Sequence, residues 1–135
     1  MIASAAEFVS LRLSTRPEEY LRAAEDAAPL QVWQDVIANY PQMRQWVAHN
    51  KTVPLQVLVI LAHDPDVEVR LFVAMKNKLS SELYTLLSED HDDGVRARIA
   101  HNKNTPRTVL QKLAKDPSRL VAESAAQKLI DGSDS

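Results

Sequence analysis

The chain has 135 residues, with 16 Lys and Arg against 18 Asp and Glu; the formal net charge of −2 exerts no global pull toward nucleic acid or anionic lipid. It contains no cysteine, which excludes disulfides, thiolate zinc sites and cysteine-held iron–sulfur clusters. Residues 1–10 lack a basic segment followed by a long apolar run, and no stretch is apolar enough to span a bilayer, so a cytoplasmic protein is expected.

Two glycines and seven prolines, the latter at regular points, favour short helices joined by tight turns. The first pair is read at 5–13 and 17–26, with Ser4 and Glu7 spaced as a capping box. Pro29-Leu30-Gln31-Val32 then anticipates Pro54-Leu55-Gln56-Val57 residue for residue, and Trp33, Val36 and Ile37 fill an apolar face. From Arg44 a period of 26 residues becomes explicit when 44–69, 70–95 and 96–121 are superposed. Five columns are identical: Arg44/Arg70/Arg96, Ala48/Ala74/Ala100, Leu61/Leu87/Leu113, Asp64/Asp90/Asp116 and Val69/Val95/Val121. Val47/Val73/Ile99 and Leu58/Tyr84/Leu110 match in kind. A fixed period of this length marks stacked supersecondary units, none able to bury its apolar face alone.

Each repeat reads as two helices. In 107–114, Val109, Leu110 and Leu113 share a face, with Thr105 as the expected N-cap and Pro106 at the first helical position. Asp116-Pro117 is read as the start of a second helix, as are Asp64-Pro65 and Asp90-His91. Asn50 and Asn102 follow second helices, where Asn can end a helix in the left-handed conformation. The expected fold is all-α, a short right-handed α-solenoid of about five helical hairpins at roughly 5–26, 30–49, 54–76, 80–101 and 107–130. A single domain, 1–130, would have irregular N-terminal repeats at 1–43, regular repeats at 44–121 and a C-terminal cap at 122–130, followed by a disordered polar tail at 131–135.

Asp64-Pro65-Asp66-Val67-Glu68-Val69-Arg70 followed by Val73-Ala74, and Pro106…Val109-Leu110…Leu113-Ala114-Lys115-Asp116-Pro117, resemble the HEAT-repeat family. They are most similar to its bacterial variant-leucine-rich-repeat relatives, closely over 44–121 and loosely over 1–43. The resemblance implies first helices on a convex side, second helices on a concave side, and Asp–Arg contacts between layers. It also implies a protein-binding scaffold, since few members bind nucleic acid or act on DNA bases. The cysteine cluster domain of some members does not carry over to a chain without cysteine.

Arg44, Arg70 and Arg96 with Asp64, Asp90 and Asp116 are read as structural, because a demand made by every layer recurs in every layer. Positions that hold their place but change their residue are the better candidates for function. Trp46, Phe72 and Arg98 form one such column and His49, Met75 and His101 another, bordered by Gln45, Leu71 and Ala97. Aromatic and Met residues beside Arg are typical of binding hot spots. Trp46 and Phe72 stand either at the concave rim or wedged between layers as core.

No metal site is expected: His49 and His101 lie two repeats apart, so roughly 20 Å in stacked helices, whereas zinc ligands sit within about 2.1 Å of the ion. His63 and His91 have no partner at ligand spacing. No phosphate-binding glycine loop, metalloprotease helix or nucleophile elbow is present, and no catalytic residue or cofactor is expected. Lys51, Lys76, Lys78 and Lys103 cluster where second helices end, while Asp64, Asp66, Glu68, Glu89, Asp90, Asp92, Asp93 and Asp116 cluster where they begin. The expected function is that of a non-enzymatic module binding a protein partner on the concave face, through Trp46, Phe72 and Met75 bordered by His49, Arg98 and His101. The alternatives are an immunity or inhibitor protein whose acidic edge neutralises a cationic effector and, less favoured, a nucleic-acid-binding helical repeat.

Overall fold

A computed structural model describes residues 1–133. All regular structure among them is helical, and the chain divides into two compact units, Met1–His63 and Asp64–Ser135. The first unit holds α1 (Ala5–Leu13), α2 (Pro17–Glu25), α3 (Leu30–Asn39), a 3₁₀ turn (Pro41–Met43), α4 (Arg44–His49) and α5 (Leu55–Leu61). The second holds α6 (Val67–Ala74), α7 (Ser81–Ser88), α8 (Asp93–His101), α9 (Arg107–Leu113) and α10 (Arg119–Ser133). Of the tail expected at 131–135, residues 131–133 belong to α10, and 134–135 lie outside the described residues.

In the first unit, Ser4 Oγ accepts the Glu7 N–H and starts α1, one half of the anticipated box. Phe8 on α1 and Trp33 on α3 are fully buried, meeting edge to face at 5.3 Å. Val36, Val47, Val57 and Leu61 complete this core, each worth about 1.5–3 kcal/mol when buried. In the second unit, α8 packs against α6, α7 and α10 around Val69, Val73, Leu83, Leu87, Ile99, Leu113 and Val121.

The repeated charges bind the second unit together. Arg70 Nε and Nη2 donate to the two Asp90 carboxylate oxygens at 2.9 and 3.3 Å, and Arg70 Nη1 donates to the Asp64 carbonyl at 2.8 Å. One repeat later, Arg96 grips Asp116 at 2.9 and 3.2 Å and donates to the Asp90 carbonyl at 2.7 Å. These are two-pronged, charge-assisted bonds on side chains at most 16% exposed.

Three local expectations are corrected. Asp90 does not cap α8: Asp92 does, accepting the Gly94 and Val95 N–H groups, while Asp90 accepts the Asp92 N–H in the turn before it. Asp64 and Asp116 occupy the same pre-cap position, with Asp66 capping α6. The offset leaves one face of the Asp90 and Asp116 carboxylates open to Arg70 and Arg96. Thr105 does not cap α9; its buried hydroxyl donates back to the Ile99 carbonyl, and α9 has no side-chain cap bond.

The third correction concerns the asparagines. Asn50 has φ −59° and Asn102 φ −61°, so neither is left-handed. Each reaches instead to the unfinished end of the helix one repeat earlier. Asn50 Nδ2 donates to the carbonyls of Ala23 and Asp26 at 2.8 and 3.0 Å, and the Lys51 N–H takes that of Ala24. Asn102 Nδ2 likewise donates to the carbonyls of Ala74 and Lys76, while its Oδ1 accepts the Tyr84 hydroxyl and the Asn104 N–H. The last carbonyls of a helix have no partner within it, and these side chains supply one.

Candidate functional site

The six candidate residues are divided between the two units. In the first, Trp46 and His49 lie one turn apart on the six-residue α4, and their rings meet edge to face at 5.9 Å. Trp46 is half-buried and His49 exposed. The Arg12 guanidinium, from the last turn of α1, lies 3.5 Å from the Trp46 ring centroid, a cation–π contact worth about 0.5–1 kcal/mol at an exposed site. Arg12, Tyr20, Leu21, Ala23, Trp46 and His49 line a recess of about 360 Å³. Trp46 is thus neither an enclosed core residue nor a freely projecting one.

In the second unit, Phe72 on α6 is half-buried. Met75, just past the end of α6, is 46% exposed, and Arg98 and His101 on α8 are also exposed. Met75, Arg98 and His101 are brought together around a notch of about 260 Å³ at the ends of α6 and α8, with Lys76, Asn77 and Lys103. Phe72 does not line it. Burial lowers the Lys76 amine from its ordinary value to about 8.

Arg12, Tyr20 and Leu21 escaped the sequence reading because they precede the regular repeats, where no column points to them. Lys76 and Lys103 were legible as helix-end cations, but the notch that gathers them was not. The carboxylates at the helix starts prove heavily engaged. Asp66 and Asp92 are caps, Asp90 and Asp116 hold arginines, and Glu89 pairs with Lys112 at 3.0 Å. Among the described residues, no group of three or more His, Cys, Asp or Glu could hold a metal ion, and no helix is long and apolar enough to cross a membrane.

No protein-family model, curated protein or solved structure matches the chain.

Proposed function

We propose that the chain is a non-enzymatic protein-interaction module, a short right-handed α-solenoid of the HEAT-like, variant-leucine-rich-repeat kind. Its contact would run along the faces and ends of its second helices. The observation that carries this reading is a division of labour between repeat columns. The invariant Arg and Asp columns are engaged in internal bonds in the second unit, whereas Trp46, Phe72 and Met75 stay partly accessible beside His49, Arg98 and His101. Large amphipathic side chains ringed by polar ones, at positions the scaffold leaves open, are the usual anchors of protein recognition.

The test is a capture experiment from native lysate with the wild-type chain and a Trp46→Ala/Phe72→Ala variant of equal helicity. A partner kept by the wild type and lost by the variant supports the reading. The same partner recovered equally by both, or none by either, refutes it.

A further inference from the structure

The charged residues of α1 and α2 are matched, with one exception. Glu7 and Asp26 hold Arg22, Glu18 and Glu19 hold Arg16, and Glu25 holds Lys51. Arg12 has no such counterpart: among the described residues its side chain enters no ion pair and no hydrogen bond. Phe8 and Val9 one turn before it and Thr15 and Arg16 after it include no acid. The place of its guanidinium is nonetheless defined. Its central carbon lies 3.5 Å from the Trp46 ring centroid, and the half-buried side chain forms part of the wall of the recess between α1, α2 and α4.

The nearby helix end does not neutralise this cation. A helix C-terminus is negative through its unmet carbonyls, but those of Ala23 and Ala24 already accept the Asn50 Nδ2 and the Lys51 N–H. No carboxylate lines the recess. The Trp46 ring keeps water from one side of the guanidinium, which strengthens its attraction for an anion. The rest of the recess is largely apolar. Leu21 is 49% exposed and Tyr20 37%, and with Ala23, Ala24 and the Trp46 indole they leave an apolar surface open beside the charge. The volume of about 360 Å³ falls at the small end of the range for small-molecule sites, which join an apolar lining to a few fixed polar groups.

We infer that this recess binds a small aromatic monocarboxylate. A guanidinium lying over a ring keeps N–H groups at its edge for acceptors, and its planar fork matches the two oxygens of a carboxylate. One fixed positive charge is balanced by one negative charge, which favours a carboxylate over a phosphoryl dianion. The ring of the ligand packs against Leu21, Tyr20 and Trp46, where edge-to-face or offset contacts add to simple burial. The inference goes beyond the protein-binding reading, since it stands on Arg12 and the recess of the first unit and holds whether or not a protein docks. Arg12 is not among the residues changed in the lysate capture, so either reading can fail alone.

The experiment titrates the isotope-labelled full chain with phenylacetate, and separately with its uncharged isostere phenylacetamide and with acetate, at neutral pH and fixed ionic strength. Amide and indole N–H shifts are followed by NMR, with every variant first matched to the wild type in helicity. Phenylacetate should give saturable shifts confined to 12, 20–24 and 46–49, and should bind about tenfold or more tighter than phenylacetamide or acetate. Arg12→Gln should abolish the preference for the acid over the amide, and Arg12→Lys, which keeps the charge but loses the fork, should fall between. Leu21→Ser should weaken both aromatic probes, whereas Arg119→Gln, an equal loss of charge on the exposed start of α10, should change nothing. The inference is overturned if phenylacetamide binds as well as phenylacetate, if Arg12→Gln binds the acid like the wild type, or if the shifts spread over the surface without saturating. A peptide that binds through a free C-terminal Phe where phenylacetate does not bind would also overturn it, in favour of a protein terminus as occupant.

Discussion

Asn50 offers the sharpest test of how one repeat is fastened to the next. The residue is fully buried, and its amide bonds to the carbonyls of Ala23 and Asp26 and to the N–H and hydroxyl of Thr52. Asn50→Ala removes these bonds, but the losses are unequal. Asp26 keeps the Thr52 hydroxyl as a donor at 3.3 Å, and Thr52 is exposed enough to turn to water. The Ala23 carbonyl, on a residue only 1% exposed, has no such recourse. An orphaned buried acceptor costs about 1–3 kcal/mol, and the bonds whose partners can turn elsewhere together cost about as much as one net hydrogen bond, about 0.5–1.5 kcal/mol, so a total of about 2–4 kcal/mol is expected. With urea slopes of about 1–3 kcal/mol per M, the unfolding midpoint followed by circular dichroism should fall by about 1–2 M at unchanged slope. Asn50→Asp should be worse than Asn50→Ala at neutral pH, because it turns a carboxylate oxygen toward two carbonyls. A midpoint within experimental error of the wild type for Asn50→Ala, or an Asp variant as stable as the wild type, would refute the argument.

Three further outcomes can be checked by similar melts. Burial raises the Asp116 carboxyl, but the Arg96 hydrogen bond, the Ser118 N–H and the arginine's charge outweigh it and hold the pKa below the ordinary Asp value. The associated stabilisation is present above the unfolded pKa and is lost as pH falls through the lower folded one. Asp116→Asn should therefore be less stable than the wild type at neutral pH, with the gap closing as pH drops below about 4; a gap that persists in strong acid would refute this. At Gly94 a Cβ would lie 2.8 Å from Asp92 Oδ1, the mobile end of a side chain. Gly94→Ala should then stay within about 0.5 kcal/mol of the wild type, the helix-propensity gain of about 1 kcal/mol offsetting a displaced cap bond; a loss of several kcal/mol would show that Asp92 cannot move. Trp33→Ala should cost about 3–5 kcal/mol, and half-buried Trp46→Ala clearly less; equal losses would make Trp46 a core residue.

Helix positions were largely legible because they depend on local spacing. The prolines at 29, 54 and 106 each stand just before a helix, and Ser80 takes over that place by accepting the Leu83 N–H. Bonding partners were less legible. An Asp before a helix reads as a cap, and only the position of Arg70 one repeat earlier shows why Asp90 must stand two residues further out. Asn50 and Asn102 looked like turn residues because their acceptors lie 24 to 28 residues upstream, beyond any local rule. The candidate surface was legible as variable columns, yet Arg12 over Trp46 and the gathering of Lys76 with Lys103 arise from packing that no column encodes.

The asparagine fastenings have a consequence for how such a chain can change. Their acceptors are peptide carbonyls, which every amino acid carries. The side chains at 26 and 76 can therefore be exchanged without removing the group that the next repeat grasps. Position 75, between two of the grasped carbonyls, is equally free of the join, and Met75 stands there half in the open. Attachment is written in the main chain and surface character in the side chains, so new surfaces can be tried at the helix ends while the joins stay as they are.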